Sequence, residues 1–579
     1  MRIPGLCLLL ILCVAAHAGD LDEVRSLAAA GAHTLALDLL DTEQAPPERD
    51  LKGWMRWERE RARLLAAEGA WERLAERLAG VPEGVPPAFA RWAGSRRAEA
   101  LLELGEGAEA RRVLRGLLWA PKSAPEAIRQ WRRLVIRSYL VEGRPRDAYT
   151  ALLRYRHDYG AGEGAEAVLN GQVLLAQGRA GDAARYLAEV EGNQATIFRL
   201  LARLRAGEVP AWRVARDLRA LLRNRDLQPA ERQLLWAAIA EAAGAAEDWG
   251  SQVTALEELL AFDAPLALQA GIFSHTPDTL WQAYLDYAGS VGNRQQLLLG
   301  DDAAWLAEAE AAAKRFPARS RAIYALLALQ GATGEGRSAG HRGLTRALTS
   351  RSWGMAVLRQ LYLQAERFAG IEAVPPAVRQ TLVDPAIAGG EIQLASRLLE
   401  GLAEPPSGTD RVMWQLRRAR VFIMAGAHAQ GIVVLDTLAE SAGELPRRQV
   451  DRLVQVLFDL QTVEQHEAAY ALFETLFAQV EEAALRRELL YWMADSRRAQ
   501  SRHREAARLY LRSAGLHRAD AMDPWAQTAR YQAAKSLAEA GLVEDARRIY
   551  RQLLGVTEDT ARRAVLEREL QQLWLQVRE

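Results

Sequence analysis

The sequence is almost without thiols. Its 579 residues include two cysteines, Cys7 and Cys13, and both lie within the first 18 positions. Lysine is nearly as scarce: Lys52, Lys122, Lys314 and Lys535 stand against a background of arginine that, with the abundant alanine, reflects genome composition. Net charge is missing too, since 74 basic and 74 acidic side chains cancel. That removes the whole-molecule electrostatic argument for binding nucleic acid or an anionic membrane surface. No strand-type alternation is sustained, and 21 prolines and 43 glycines are ordinary usage. Collagen-like and broadly disordered chains are thereby excluded.

The first 18 residues carry the compartment. Arg2 precedes an apolar run from Leu6 to Ala16, followed by Ala16-His17-Ala18 and then Gly19-Asp20. A short positive region, an apolar core and a small-x-small site form the layout of a secretory signal peptide. The run falls short of the roughly 20 residues a spanning helix needs. An exported, periplasmic protein cleaved after Ala18 is expected, with an uncleaved membrane anchor as the rival. Lipid attachment at Cys13 is disfavoured by Leu12, where a lipoprotein signal wants a small residue. Cleavage would remove both cysteines, and with them disulfides, thiolate nucleophiles and zinc–cysteine sites. No transmembrane segment is expected after cleavage.

What is present is helix after helix, rich in Ala, Leu, Arg and Glu. A triplet recurs: a glycine, a small residue five positions on, and a large apolar residue four further. It reads Gly31, Ala36, Leu40; then Gly69, Leu74, Leu78 in poorer form; then Gly105, Ala110, Leu114; Gly143, Ala148, Leu152; and Gly178, Ala183, Leu187. It returns as Gly390, Ala395, Leu399 and Gly426, Gly431, Leu435. Two units replace the glycine, Glu464, Ala469, Phe473 and Ser501, Ala506, Tyr510, before Gly541, Ala546, Tyr550 closes the series. Glycine permits the sharp turn between two helices. The small residue lets the second helix approach the first, and the large one fills the groove a turn later. The first helix carries its own small residue seven positions before the turn at Ala62, Ala98, Gly171, Ala419, Ala494 and Ala534, and fails at Ile136. Pro82, Pro121, Pro405-Pro406 and Pro524 separate neighbouring units.

These units resemble tetratricopeptide repeats, most clearly in Trp525–Leu554, Gln130–Tyr155 and Glu166–Leu187. They depart from the family in a period a few residues longer than usual and in lacking a regular proline after each second helix. The resemblance implies an all-α fold, an α-solenoid (superhelix) of antiparallel helical hairpins with a concave groove lined by first helices. The expected organisation is a signal peptide over 1–18, an N-terminal array over 19–190, a diverged helical region over 191–375, a C-terminal array over 376–556 and a capping helix over 557–579. The central region is expected to continue the solenoid as diverged hairpins, with a separate small helical domain as the rival. Gly292 to Leu297 reads as a worn repeat. Thr276-Pro277-Asp278 starts a helix, and Asp301-Asp302 is expected to cap Ala303–Phe316. Leu566, Leu570 and Leu573 should dock the last helix.

Catalytic constellations are not found. Gly331-Ala332-Thr333-Gly334-Glu335-Gly336-Arg337-Ser338 is one residue from a phosphate-binding loop, with Arg337 where lysine is needed. Its preceding segment reads as helix, where a P-loop needs a strand, so a flexible glycine-rich connector over Gly331–Gly343 is expected. No two histidines share the i, i+4 spacing of a helical metal site, and His466-Glu467 lacks the second histidine of a zinc protease. His428, His466 and His503 fall at repeat turns and are expected to be solvated. Exported helical repeats also precede the catalytic domain of lytic transglycosylases, but Glu440-Ser441 lacks the Met-Gln sequel that resemblance requires. No enzyme activity, cofactor or metal is expected.

By register Arg133 and Arg137, Arg420, and Tyr531 and Lys535 should face the groove. There the arginines would take a carboxylate-bearing peptide or acidic helix through bidentate pairs, with Trp131 and Trp414 as packing. The expected function is a non-catalytic scaffold or adaptor of the cell envelope, binding a protein or peptide partner and no nucleic acid. A peptidoglycan- or exopolysaccharide-linked envelope enzyme or enzyme regulator is the alternative.

Overall fold

The computed structural model describes residues 21–160, 162–262, 271–292, 299–516 and 523–576. The expected signal segment, its cleavage site and both cysteines lie outside them. Among the described residues there are thirty α-helices and no β-strand. The chain divides into two compact units, one running to Arg367 and the other from Phe368.

The local rule that builds both units is the turn. Each of the ten turn residues read from the sequence has a left-handed backbone, the eight glycines running from Gly143 at φ 64° to Gly31 at φ 84°. Glu464 and Ser501, which lack the freedom of glycine, adopt it as well at φ 61° and 59°. The bonding explains why. The turn N–H reaches back three residues and the next N–H reaches back five, as in Gly143 N to Leu140 O at 2.9 Å and Arg144 N to Tyr139 O at 2.8 Å. Ser501 repeats this, with Ser501 N to Arg498 O and Arg502 N to Arg497 O both at 2.9 Å. Such closure satisfies carbonyls that the end of the first helix leaves open, and it needs one residue in the left-handed region.

Packing then follows the triplet. Ala36, Ala110, Ala148, Ala183, Ala395, Ala469, Ala506 and Ala546 are completely buried, and so are Leu40, Leu114, Leu399, Leu435, Phe473 and Tyr510. At Gly431 a Cβ would stand 3.1 Å from the carbonyl oxygen of Ala419, the small residue of the facing helix. At Gly171 it would stand 2.6 Å from the Leu187 side chain. Small faces small, and the large residue closes the space, within hairpins such as Pro125–Val141 with Pro145–Tyr159 and Pro524–Glu539 with Val543–Val556.

In the first unit the hairpin rule extends past residue 190. Asn193–Arg205 with Ala211–Leu221, and Pro229–Ala245 with Trp249–Leu260, turn at Gly207 (φ 70°) and Glu247 (φ 55°). Five helices follow in a different arrangement: Pro277–Val291, Asp302–Ala312, Pro317–Gln330, Gly334–Thr349 and Gly354–Leu363. Pro317–Gln330 is their core and is buried from Ser320 to Ala328. It packs on Asp302–Ala312, Gly334–Thr349 and Pro277–Val291, and also back on Trp249–Leu260. That non-sequential return is fastened by a buried triad. Glu257 accepts from Arg321 Nε at 2.6 Å and from the Tyr284 hydroxyl at 2.7 Å, with Arg321 Nη2 on its other oxygen. The cluster is therefore one body with the last regular hairpin, not a separate domain. Thr276 caps Pro277–Val291 as expected. Gly292 has an extended backbone (φ −150°), and the rest of the worn repeat expected to Leu297 lies outside the described residues.

The second unit holds five hairpins, from Pro376–Ala388 with Ile392–Leu399 to Pro524–Glu539 with Val543–Val556, closed by Thr560–Gln576. Leu566 and Leu573 of that last helix are buried in the same cluster as Tyr550 and Leu553, with Leu570 packed against it. A terminal helix of this kind covers the apolar face that the last repeat would otherwise expose.

Candidate functional site

The glycine-rich segment is not a connector. Residues 334–349 form a helix, Gly334–Thr349, capped by the Thr333 hydroxyl, which accepts from Gly336 N at 2.9 Å. Its glycines serve packing: a Cβ at Gly340 would stand 2.3 Å from the backbone nitrogen of Ala328, and one at Gly343 would stand 2.3 Å from the Tyr324 ring. Two helices this close leave no room for side chains between them. The place a phosphate would take is filled from within. Asp302 accepts from Ala332 N and Thr333 N, both at 2.9 Å, and from the Thr333 hydroxyl at 2.7 Å. Asp302 thus binds the loop of a neighbouring helix in place of capping its own, where Asp301 occupies the cap position without a side-chain bond. Burial pushes the Asp302 carboxyl up, but the hydrogen bonds from Thr333 and Ala332 outweigh it and leave the group below its ordinary value.

The five expected groove residues are found on first helices, and the structure places a carboxylate beside four of them. Arg133 Nη1 donates to Glu166 at 3.0 Å. Arg137 lies 3.8 Å from Glu103, Arg420 lies 3.1 Å from Asp459, and the Tyr531 hydroxyl donates to Glu569 at 3.3 Å. In each case the partner belongs to the first helix of an adjoining unit or to the closing helix. Lys535 is half-buried and has no ion pair among the described residues. Each of these arginines therefore already has a carboxylate of the chain itself beside it. Glu166 shows the strength of this. Burial pushes its carboxyl up, yet bonds from Arg129 and Tyr155 hold it below its ordinary value. Burial lowers Arg137 despite Glu103, and raises Glu103 and Asp459 despite the facing arginines. Tyr531 is raised by burial first and by Glu569 second.

The same pattern runs along whole rows. Six residues before the turns stand Arg25, Arg63, Glu99, Arg137 and Gln172 in one unit, and Asp384, Arg420, Phe458, Asp495 and Lys535 in the other. Both signs occur in each row, and rungs one repeat apart join the hairpins: Arg205 with Glu241 at 2.6 Å, Arg129 with Glu166 at 2.7 Å, Arg447 with Glu482, and Arg487 with Asp523. A row of mixed sign cannot act as a uniform anion-binding stripe. Trp131 and Trp414 are buried as expected, the latter donating Nε1 to Leu402 O at 3.1 Å.

The turn histidines occupy one repeat position, two residues after the turn: His33, His428, His466 and His503. They are half-buried and not freely solvated, and two bond to the next hairpin, His33 to Glu68 at 2.5 Å and His503 to Glu539 at 3.1 Å. Among the described residues no three of His, Cys, Asp or Glu gather as a metal-ligand group. Glu440 ends an ordinary second helix, and the Ser441 hydroxyl bonds back to Thr437 O.

Open cavities lie on hairpins, among them one of about 350 Å³ bounded by Asp41, Arg61, Arg73 and Arg77. Another, of about 280 Å³, is bounded by Gln527, Tyr531, Leu553, Arg562 and Leu566, between the last hairpin and the closing helix. A larger one, about 800 Å³, lies along Pro125–Val141 and Pro145–Tyr159. No helix among the described residues is long and apolar enough to cross a membrane.

These features define the class: an all-α repeat protein built of tetratricopeptide-like helical hairpins. No family model matches the chain, and no curated protein matches it. Among solved structures it is similar to the APC/C hetero-tetramer Cut9–Hcn1 at 12% identity, covering 95% of each chain with a TM-score of 0.27. It is similar to yeast Tom70 at 9% identity, over 85% of this chain and 97% of that one, with a TM-score of 0.23. Maize PPR10, a pentatricopeptide repeat protein in complex with an 18-nt RNA element, is similar at 14% identity over 94% and 88%, with a TM-score of 0.29.

Proposed function

We propose that the protein is a non-catalytic scaffold of the cell envelope that holds a protein or peptide partner against its first helices. The observation that supports this most is the set of inter-hairpin rungs, which fix Arg133, Arg137 and Arg420 in register while leaving them partly exposed. A surface held this way binds without paying for side-chain ordering. Its mixed signs favour a partner that presents both charges, such as a helix with acidic and basic residues, over a polyanion. Nucleic acid, the ligand in the PPR10 complex, needs a run of one sign that these rows lack. Export rests on Arg2, the apolar run and Ala16-His17-Ala18.

Co-purification from envelope extract tests this reading. A specific protein should be retained by the full chain and lost when Arg133 and Arg137 are both changed to glutamate. Retention unchanged by the double change, or recovery of nucleic acid in place of protein, contradicts it. The alternative, an enzyme or regulator linked to peptidoglycan or exopolysaccharide, draws on the 800 Å³ cavity; purified protein that degrades murein or exopolysaccharide would establish it.

A further inference from the structure

None of Arg133, Arg137, Arg420, Tyr531 and Lys535 lines the larger cavity. Its floor is one stripe of Pro125–Val141, namely Ile128, Arg132, Val135 and Tyr139. Its wall is one stripe of Pro145–Tyr159: Asp147, Thr150, Arg154 and Asp158. Two helices running side by side make the cavity an elongated trough. From Ile128 to Tyr139 it measures about 16 Å at a rise of about 1.5 Å per residue. Its volume of about 800 Å³ is within the roughly 300–1,000 Å³ of small-ligand sites. The rim is Leu118 and Trp119, the end of Gly107–Trp119.

Three aromatic rings line the trough, in different states. Tyr155 is buried, and its hydroxyl accepts from Arg129 at 3.0 Å. Tyr139 lies under the Arg111 guanidinium at 4.3 Å. Trp119 is 80% exposed and has no hydrogen-bond, ring or cation contact among the described residues. Within the first unit's hairpins it is the large apolar side chain left most open, beside a trough with which it has no structural business.

The polar lining decides what such a ring would cover. It carries two arginines and two aspartates, so its formal charge is zero. Arg132 is paired with Asp158, Asp147 is paired with Arg144 at 2.7 Å, and Arg154 has no carboxylate partner among the described residues. A carboxylate or phosphate ligand would find one cation without a carboxylate, Arg154, and would have Asp147 and Asp158 beside it. A cationic ligand would need acceptors alone and would meet Arg132 and Arg154. A hydroxyl group both donates and accepts, so a polyol can bridge an adjacent Arg–Asp pair without displacing either member. Helix walls offer no free backbone N–H or C=O, so an extended peptide would be held there by side chains alone. An apolar helix face would have to bury the charged pairs.

We propose that this trough is a binding site for a neutral oligosaccharide. One sugar face stacks on Trp119 and its hydroxyls bridge Arg132–Asp158, with Thr150 and Arg154 as further partners. The site uses other side chains of Pro125–Val141 than Arg133 and Arg137, so failure of either proposal leaves the other standing.

The test uses the full chain, with calorimetry and tryptophan fluorescence against four probes: N-acetylglucosamine tetrasaccharide, maltotetraose, acidic tetragalacturonate, and a neutral pentapeptide. At least one neutral oligosaccharide is expected to bind. Trp119→Ala should weaken it tenfold or more, with the melting temperature unchanged, and Trp119→Phe should restore most of the loss. Trp212→Ala removes another exposed tryptophan, 59% open on a different hairpin, and should leave binding intact. Asp158→Asn should weaken the neutral ligand and admit tetragalacturonate. Absence of binding by both neutral sugars, binding indifferent to Trp119→Ala, or preference for the pentapeptide would overturn the proposal.

Discussion

Glu464 and Ser501 hold a backbone that side chains with a Cβ enter at a cost of about 1–2 kcal/mol. Ser501→Gly should therefore raise stability by up to ~1 kcal/mol, since the relief is partly offset by the greater freedom of glycine in the unfolded chain. Gly143→Ala should lower it by a similar amount; opposite shifts in melting temperature check the pair. Gly340 and Gly334 divide differently. Alanine at 340 meets the Ala328 backbone at 2.3 Å, whereas at 334 the nearest atom is the end of Arg337 at 4.0 Å. Gly340→Ala should cost roughly 3 kcal/mol or more, and Gly334→Ala should be near neutral in the same melt.

His341 supplies a pH dependence. It is buried, hydrogen-bonded through Nδ1 to the Tyr362 hydroxyl at 2.8 Å, and lowered by burial to about 4 from 6.5. The unfolded chain accepts the proton first, so the stability His341 contributes is complete above about pH 6.5. It declines as pH falls, by about 1.4 kcal/mol per unit, and is lost at about pH 4. Denaturant titrations of the wild type and His341→Gln from pH 7 to pH 4 should converge as the pH drops; parallel curves would contradict this.

At the scale of the helix, the hairpin was legible because it rests on three residues at fixed offsets. Ala546 is completely buried against the preceding helix. Ala546→Arg should split the last hairpin at a cost of several kcal/mol, read as early loss of helix by circular dichroism. Where the offsets change, the pattern disappears although the hairpin remains. After Gly207 the second helix starts late, behind Glu208, Val209 and Pro210, so the position five residues on is Trp212, 59% exposed, and buried Ala215 comes three later. At Glu247 the small partner is on the other helix: Gly244 faces Gln252, whose Nε2 would lie 2.5 Å from a Cβ there.

The five-helix cluster around Pro317–Gln330 was not legible, because it is fixed by contacts distant in sequence. Arg321 and Glu257 are 64 residues apart, and neither position announces its partner. Glu257→Gln should destabilise the first unit by about 3–5 kcal/mol, since it leaves the Arg321 charge buried without its counter-ion. The first-helix rungs were legible in principle. Each arginine chosen as a partner-binding residue has its carboxylate about one repeat away, as with Arg133 and Glu166 or Arg420 and Asp459. Arg133, Arg137 and Arg420 are thus rungs between hairpins that stay partly exposed.

For the molecule as a whole, the claim beneath everything else is that hairpins are interchangeable units joined at equivalent left-handed turns. Glu464 and Ser501 are two such turns, with matching φ and matching bonds. Removing residues 465–501 joins Glu464 to Arg502 and should take out one unit without disturbing the turn, as expected of a chain whose stability sums over neighbouring repeats. Circular dichroism of the shortened chain is the most direct measurement. Unchanged helical signal per residue and a cooperative melt are predicted; loss of helix or of the melting transition would show that the second unit is held together by something other than stacked, equivalent hairpins.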